Sequence, residues 1–318
     1  MASALVCSLI LIATTSTTTT GADLRDEHRP DVRLGRPGRT EPRAVGHGLL
    51  TMTINDVRGD ERSCLREAFE RDGFVLIEGA LTADELERLT AAVDRVHRAE
   101  RGTQGGPLHL LAFCGRDAAF LEPLDHSRTL PLVVETLGSN VFMYHCHLDV
   151  HPPETPDLER PWMWHQDGGV VNRDLEGSPR PRLSVKVAFF LTDLPDPGMG
   201  NFVVLPGSHL ANAIDRPPDD ENELPGALPI LARAGDAVMF DRRVWHMRSP
   251  NLSGTTRKAL FYAYTFRWVR ARDDLDVRAD LLPLITPVRA QLLGGGGSAI
   301  DFWMPDHQEL PVRTAFGR

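Results

Sequence analysis

A series of short apolar segments in the second half of the chain constrains its fold more than any other feature. Five largely apolar segments lie between residues 141 and 268, and clusters of Pro, Gly, Asp, Asn and Ser separate them. Segments of this length between turn residues are typical of antiparallel strands in a sandwich or barrel. The predicted strands cover residues 141–150, 183–191, 202–205, 237–240 and 258–268.

The residues before this region are mainly helical in pattern. Thr82 and Glu85 form a capping box, in which the Thr hydroxyl and the Glu carboxylate each satisfy a backbone N–H at the helix start. Helices followed by many short strands predict one α+β domain with a mainly β core. The predicted helices cover residues 63–72, 82–100 and 127–137, and a short strand covers residues 74–77.

The first 51 residues differ in composition from the rest of the chain. Residues 2–14 resemble the apolar region of a secretory signal, but no basic residue precedes them. Residues 22–48 are rich in Arg, Asp, Pro and Gly and show no periodicity, which is typical of disorder. We therefore expect residues 1–51 to be a disordered leader or an over-long start before Met52, and residues 52–318 to form a single domain.

Charge and cysteine usage exclude several classes of protein. The 44 acidic residues outnumber the 35 basic ones, a net charge of −9, whereas nucleic-acid binding needs a basic excess. No apolar run is long enough for a membrane span, and four widely spaced cysteines predict neither disulfides nor a Cys-ligated zinc site. We expect a cytoplasmic protein whose partner is a small molecule; its oligomeric state stays open.

The sequence Trp164-His165-Gln166-Asp167 is the clearest candidate metal site. In a strand, His165 and Asp167 point to the same side, and an imidazole with a carboxylate supplies two ligands of a facial Fe(II) site. His246 is the preferred third ligand, because it follows a Gly-Asp turn and an apolar strand. The alternative is His209, although a His beside a Pro-Gly-Ser turn more often bonds to the backbone.

Two basic residues are candidates for binding an anion in the same pocket. Arg257 follows His246 by eleven residues, and a hairpin across the turn at residues 251–254 would bring it beside the metal. There it could bind a dicarboxylate co-substrate in bidentate geometry, or it could be a surface residue that balances nearby acids. Lys186 lies in an apolar strand, so its charge needs either a pocket anion or a structural Asp.

Five motifs in order resemble one known family. They are residues 69–79 (FERDGFVLIEG), 165–167 (HQD), 205–209 (LPGSH), Gly235-Asp236 through Trp245-His246, and Arg257. Over residues 54–268 the chain is similar to the phytanoyl-CoA dioxygenase (PhyH-like) family of Fe(II)- and 2-oxoglutarate-dependent oxygenases. The resemblance implies a double-stranded β-helix, which is a cupin-like jelly roll, flanked by N-terminal helices.

The resemblance also implies a reaction and a set of site residues. His165, Asp167 and His246 would hold Fe(II), and Arg257 would bind the far carboxylate of 2-oxoglutarate. With O2, the enzyme would oxidise a small organic molecule, such as a secondary metabolite, most simply by hydroxylation, with release of succinate and CO2. Halogenating relatives lack the carboxylate that Asp167 supplies here. Many relatives carry a small hydroxyl residue where this chain has Arg248.

Two residues of the strand before the HxD motif are further candidates. His145 and Asp149 share a face of the strand predicted for residues 141–150. In a jelly roll that face lines the co-substrate pocket, whereas the alternative is the polar outer face of an edge strand. Two rival functions also stay open: a jelly-roll metalloenzyme that does not use 2-oxoglutarate, and a binding barrel without catalytic activity.

Overall fold

The computed structural model describes residues 52–53, 59–155, 164–214, 224–306 and 309–317, so the predicted leader lies outside the described residues. Residues 48–318 form one compact unit. The helices are α1 (Gly59–Asp72), α2 (Ala83–Arg101), α3 (Leu130–Leu137), α4 (Val171–Asp174), α5 (Pro287–Leu292), α6 (Ala299–Trp303) and α7 (Pro311–Phe316). In the described part of the chain, no helix combines the length and the apolar character that crossing a bilayer requires.

Within the described residues, ten strands form two sheets. The strands are β1 (Met52–Thr53), β2 (Phe74–Glu78), β3 (Leu108–Leu111), β4 (Val141–His151), β5 (Ser184–Phe190), β6 (Phe202–Val204), β7 (Leu228–Pro229), β8 (Ala237–Asp241), β9 (His246–Arg248) and β10 (Arg257–Phe266). The larger sheet has the order β1-β2-β8-β5-β10-β4-β3, and the smaller has the order β7-β6-β9. All pairs are antiparallel except β1 with β2, which confirms the predicted α+β class with a large antiparallel sheet.

The larger sheet separates two apolar cores. Side chains alternate between its faces, so Leu260 and Tyr262 of β10 pack toward the helices, while Ala259 and Phe261 face the smaller sheet. The helix-side core includes one face of α2, formed by Leu89, Ala92, Val93 and Val96 at helical spacing. The face toward the smaller sheet also carries polar side chains, and Lys186 of β5 and Arg257 of β10 lie toward opposite ends of this strand pair.

Two local predictions are wrong. The HxD motif does not form a strand: His165 makes only an isolated bridge with His246, after which Gly168 and Gly169 turn the chain at positive φ. The predicted hairpin also fails, because β9 pairs with β6 in the smaller sheet and β10 belongs to the larger one. The turn between them is held by Asn251, whose amide donates to the carbonyls of His151 (2.9 Å) and Thr255 (2.8 Å).

The capping box at α2 is present as predicted, and it provides a test of the local structure. The Thr82 hydroxyl accepts from the Glu85 N–H at 3.3 Å, and the Glu85 carboxylate accepts from the Thr82 N–H at 2.8 Å. We expect Thr82→Ala to lower the free energy of unfolding by about 1 kcal/mol in urea denaturation. Glu87→Ala, at an exposed position of the same helix, should change it by less than about 0.5 kcal/mol. Equal losses would contradict a capping role.

Candidate active site

A cavity of about 590 Å³ lies between the two sheets and is lined by every residue that the sequence proposed for the site except the alternative ligand His209. It is lined from the larger sheet by β4, β5 and β10 and from the smaller sheet by β6 and β9. A second cavity of about 670 Å³ is lined by Trp268 and Trp303 and shares His145, but it contains none of the proposed metal ligands. The chemistry-bearing groups therefore point to the first cavity.

His165, Asp167 and His246 converge on one wall of this cavity. The backbones of the two histidines exchange both hydrogen bonds at 3.0 Å, so their side chains emerge together. Their Nε2 atoms lie 3.9 Å and 4.0 Å from Asp167 Oδ1. Two ligand atoms that are each about 2.0–2.2 Å from one ion lie at most about 4.4 Å apart. These two separations are therefore short enough for a single cation.

The environment of His246 leaves its Nε2 atom free of a proton. Its Nδ1–H donates to the Val244 carbonyl at 2.9 Å, which fixes the ring orientation. Burial, with His165 nearby, lowers the pKa of His246 to about 3, so the imidazole is neutral. The rings of Phe202 and Phe240 lie 5.2 Å and 5.0 Å away, centre to centre. The result is a neutral nitrogen donor held toward Asp167.

Lys186 pairs with Asp167, which is the structural-Asp alternative of the sequence analysis. Its Nζ atom lies 2.7 Å from Asp167 Oδ2, while Oδ1 faces the two imidazoles. Burial alone would raise the pKa of Asp167, but the charge of Lys186 and the neighbouring imidazoles hold it well below its usual range. Asp167 is therefore an anion with one oxygen engaged by an ammonium and the other directed at the histidines.

Arg257 is buried at the other end of the cavity, so the surface alternative for this residue is wrong. Its side chain is 1% exposed, and its guanidinium carbon lies within 5.9 Å of the ring centres of Phe190 and Phe261. Burial lowers its pKa to about 10. Within the described structure its Nε and Nη1 atoms have no hydrogen-bond partner, since the nearest carboxylate, Asp149, is 3.6 Å away.

A glycine that the sequence analysis missed determines the position of Arg257. Gly200 has φ +76°, and a Cβ atom there would lie 2.9 Å from Arg257 Cδ. A side chain at this position would displace the Arg257 side chain as well as strain the backbone. The Pro-Gly-Met-Gly turn signalled only a loop in the sequence, because the contact with Arg257 joins segments distant in the chain.

The polar face of β4 lines the cavity, so the outer-face alternative for His145 and Asp149 is wrong. The strand lies between β3 and β10, and these two side chains are buried. A bulge places Tyr144 outside the pairing, which shifts the alternation at this end of β4. The structure adds His109 of β3 and His151 to this wall. Sequence reasoning missed His109 because the pairing of β3 with β4 is not encoded locally, and His151 because the predicted strand ended one residue before it.

His209, the rival for the third ligand, lies outside this cavity's lining. Its Nε2 atom bonds to the Glu70 carbonyl at 3.0 Å. The ring packs against Gly73, where a Cβ atom would lie 2.6 Å from His209 Nδ1. As the sequence analysis expected, this histidine bonds to the backbone and joins the turn to the end of α1.

Comparisons with known proteins identify the family and the fold of this chain. The family model for phytanoyl-CoA dioxygenase (PhyH) matches residues 69–259. An ectoine dioxygenase from Nocardia farcinica is 24% identical over 246 residues, which cover 65% of this chain and 79% of that protein. The crystal structure of HygX from Streptomyces hygroscopicus, with nickel and 2-oxoglutarate bound, has a TM-score of 0.56 at 17% identity and covers 73% of this chain and 94% of its own. The crystal structure of the epimerase SnoN, in complex with Fe3+, alpha ketoglutarate and nogalamycin RO, has a TM-score of 0.52 at 20% identity. The match covers 65% of this chain and 84% of SnoN.

The ion pair between Lys186 and Asp167 predicts a large loss of stability when the ammonium is removed. We expect Lys186→Met to lower the free energy of unfolding of the metal-free protein by on the order of 3 kcal/mol, because a buried carboxylate loses its cation. The deficit should shrink as the pH falls and Asp167 becomes protonated, since the neutral acid needs no cation. Urea denaturation at several pH values measures both effects.

The chain provides a matched control in Lys258, its only other lysine. Lys258 faces the helices and pairs at 2.5 Å with Asp94, whose side chain is 48% exposed. Lys258→Met should cost less than about 1 kcal/mol, because an exposed pair is screened by water. A loss at Lys186 no larger than this would show that Asp167 does not depend on the ammonium.

Proposed function

This chain belongs to the phytanoyl-CoA dioxygenase (PhyH) family, and we propose that it hydroxylates a small polar molecule in the cavity between its two sheets. It is an Fe(II)- and 2-oxoglutarate-dependent dioxygenase that acts on a small molecule. One observation carries the proposed site: three potential metal ligands and a buried guanidinium with unpaired N–H groups share one cavity. The proposed architecture is a double-stranded β-helix formed by the two sheets, with the site at its open end.

In this proposal His165 and His246 bind Fe(II) through Nε2, and Asp167 binds it through Oδ1. Two imidazoles and one carboxylate on one face leave the remaining positions open for co-substrate and oxygen. The Val244 carbonyl orients His246, and Lys186 holds the second oxygen of Asp167. With 2-oxoglutarate bound, such a centre activates O2 as the keto acid is converted to succinate and CO2.

The proposed partner of Arg257 is the far carboxylate of 2-oxoglutarate. A buried guanidinium with unpaired N–H groups is costly until it accepts an anion, and a carboxylate can engage two of its N–H groups at once. Gly200 leaves room for the Arg257 side chain to lie in this position. The departure at Arg248 has a structural role, because this residue bonds to Glu154 at 3.1 Å.

The lining of the cavity supports a polar substrate. Imidazoles from β3 and β4 and the arginines Arg248 and Arg272 surround the space beside the proposed metal ligands. Such groups donate and accept hydrogen bonds and favour hydroxyl, amide or carboxylate substituents over a purely apolar ligand. Ectoine and nogalamycin RO, which appear in the names of similar proteins, are the first compounds to test as substrates.

Turnover of 2-oxoglutarate tests the proposal directly. The protein loaded anaerobically with Fe(II) is exposed to O2 with a panel of polar metabolites, and succinate and product are measured by mass spectrometry. We expect one substrate to stimulate succinate formation and to gain the mass of one oxygen atom, with label from ¹⁸O2 in the product. Stimulated succinate formation with an epimerised or desaturated product would overturn hydroxylation, and substrate oxidation without 2-oxoglutarate would overturn the co-substrate.

The ligand assignment predicts the effect of removing each side chain. His165→Ala, Asp167→Ala and His246→Ala should each abolish or severely reduce iron-dependent turnover, because each removes one of three protein ligands. His209→Ala should retain iron and most activity, since its ring bonds to the backbone elsewhere. Iron content after anaerobic loading and turnover are measured together. Loss of iron at His209 with retention at His246 would reverse the assignment.

The role of Arg257 predicts a selective effect on the co-substrate. Arg257→Ala should raise the apparent KM for 2-oxoglutarate by roughly 10²-fold to 5 × 10³-fold, since removing one partner of a buried charge pair costs on the order of 3–5 kcal/mol. Arg257→Lys should recover only part of this, because an ammonium cannot form the two-pronged contact. Steady-state kinetics against both substrates measures the effect, and iron content should stay normal.

Lys258→Ala is the neighbouring control for Arg257. Its side chain faces the helices, opposite to Arg257, and pairs with Asp94 outside the cavity. We expect the KM for 2-oxoglutarate to change little in this variant. Similar effects at both positions would show that Arg257 acts through the stability of β10 instead of through contact with 2-oxoglutarate.

A further inference from the structure

The same cavity contains a second set of potential metal ligands, formed by His109, His147 and Asp149. One nitrogen of each histidine and one Asp149 oxygen lie within 4.8 Å of one another. His109 comes from β3 and the other two from β4, so the pairing of these strands creates the set. None of its members belongs to the proposed iron site, and we call it the second cluster.

A chain of hydrogen bonds fixes the protonation of His147. Asp273 accepts from His145 Nδ1 at 2.8 Å, so Nε2 of this buried neutral imidazole is the acceptor. His145 Nε2 lies 3.1 Å from His147 Nδ1, which must then carry the hydrogen. His147 therefore directs a bare Nε2 nitrogen into the cavity. Metal-ligating imidazoles are usually oriented by a hydrogen bond from their other nitrogen, and here His145, itself held by Asp273, accepts that bond.

The bare nitrogen of His147 faces another acceptor. Its Nε2 atom lies 3.9 Å from Asp149 Oδ2, and neither group can donate a hydrogen to the other. On the opposite side, Nδ1–H of His109 donates to Asp149 Oδ1 at 2.6 Å, which raises the pKa of His109, and a bound cation would displace this proton. Two acceptors held face to face in a buried wall repel each other unless a cation lies between them.

Asp149 also takes part in the charge balance of the cavity. Apart from His109, its nearest positive group is Arg257, at 3.6 Å, and His151 Nε2 lies 3.8 Å away. When 2-oxoglutarate binds Arg257, two carboxylates share one guanidinium. A second cation bound to Asp149 would restore the balance and leave Arg257 to the co-substrate.

We propose that His109, His147 and Asp149 bind a second divalent transition-metal ion, with zinc as the model case. Two imidazole nitrogens and one carboxylate oxygen are typical ligands of zinc, and a fourth position would face the cavity. The side chain of His109 is 57% exposed, so the ion has a path from solvent. This site goes beyond the proposed function and does not depend on the iron assignment.

Zinc binding by the full chain tests the site. The wild-type protein and the variant His165→Ala/His246→Ala are titrated with Zn²⁺ alone by calorimetry, and bound zinc is counted by elemental analysis. We expect two ions per chain in the wild type and one in the double variant. Binding of no zinc by the double variant would overturn the second site and leave the iron site standing.

Substitutions in the double variant identify the ligands. His147→Phe retains an aromatic ring against Phe261, on which the imidazole stacks at 4.2 Å, but removes the nitrogen. Asp149→Asn retains the shape of the side chain. Each should weaken zinc binding by more than about 100-fold, because even a change at a residue behind a ligand costs about 10–100-fold. Asp273→Asn acts through His145 and should weaken zinc binding by only about 10–100-fold.

His97→Ala is the matched control, since His97 bonds to the Gly106 carbonyl at 2.8 Å and does not line the cavity. It should retain zinc affinity in the double variant. Circular dichroism and thermal melting show whether each variant is folded. Unchanged affinity in folded His147→Phe would overturn the proposal. If instead the wild type binds one ion that only His147→Phe removes, the second site stands and the iron site fails.

Discussion

The alternation of side chains in β5 and β10 is the constraint on which the site depends. Lys186 faces the same way as Ala188 and Phe190, and Arg257 the same way as Ala259 and Phe261. The inward positions are therefore apolar along most of each strand and charged at one end. Because the opposite face packs against helices, neither charged side chain can turn outward to water. The charges must find partners inside the cavity.

Those partners divide the cavity into two charged regions. At one end Lys186 neutralises Asp167, and burial keeps His246 a neutral donor. At the other end Arg257 lies 3.6 Å from Asp149 without a close hydrogen bond. Lys186 and Asp167 are in direct contact at 2.7 Å, so the position of this carboxylate is fixed. Arg257 and Asp149 are 3.6 Å apart, and N–H groups of Arg257 remain available to another anion. The proposed function needs this difference, because a metal ligand must be held in one orientation while a charged co-substrate needs an anion-binding group that is still available.

Features encoded within a few residues were predictable, and features that join distant segments were not. The capping box at Thr82 and the alternating strands depend on local side-chain chemistry, and the sequence located them to within a few residues. The hairpin after His246 failed because turn residues do not specify the sheet that the next strand enters. His109 was missed for a similar reason, and the burial of Arg257 could not be distinguished among 33 arginines. Its partner Gly200 is separated from it by 57 positions.

The use of lysine at position 186 follows from the geometry of the carboxylate that it accompanies. This chain contains two lysines against 33 arginines, so an ammonium here departs from its general usage. An ammonium is a compact charge and engages one oxygen, and Lys186 contacts Oδ2 of Asp167. A guanidinium tends to bind both oxygens of a carboxylate side by side, which would occupy Oδ1 as well. Since Oδ1 is the atom that faces His165 and His246, the lysine supplies the charge that keeps Asp167 ionised and leaves that oxygen available.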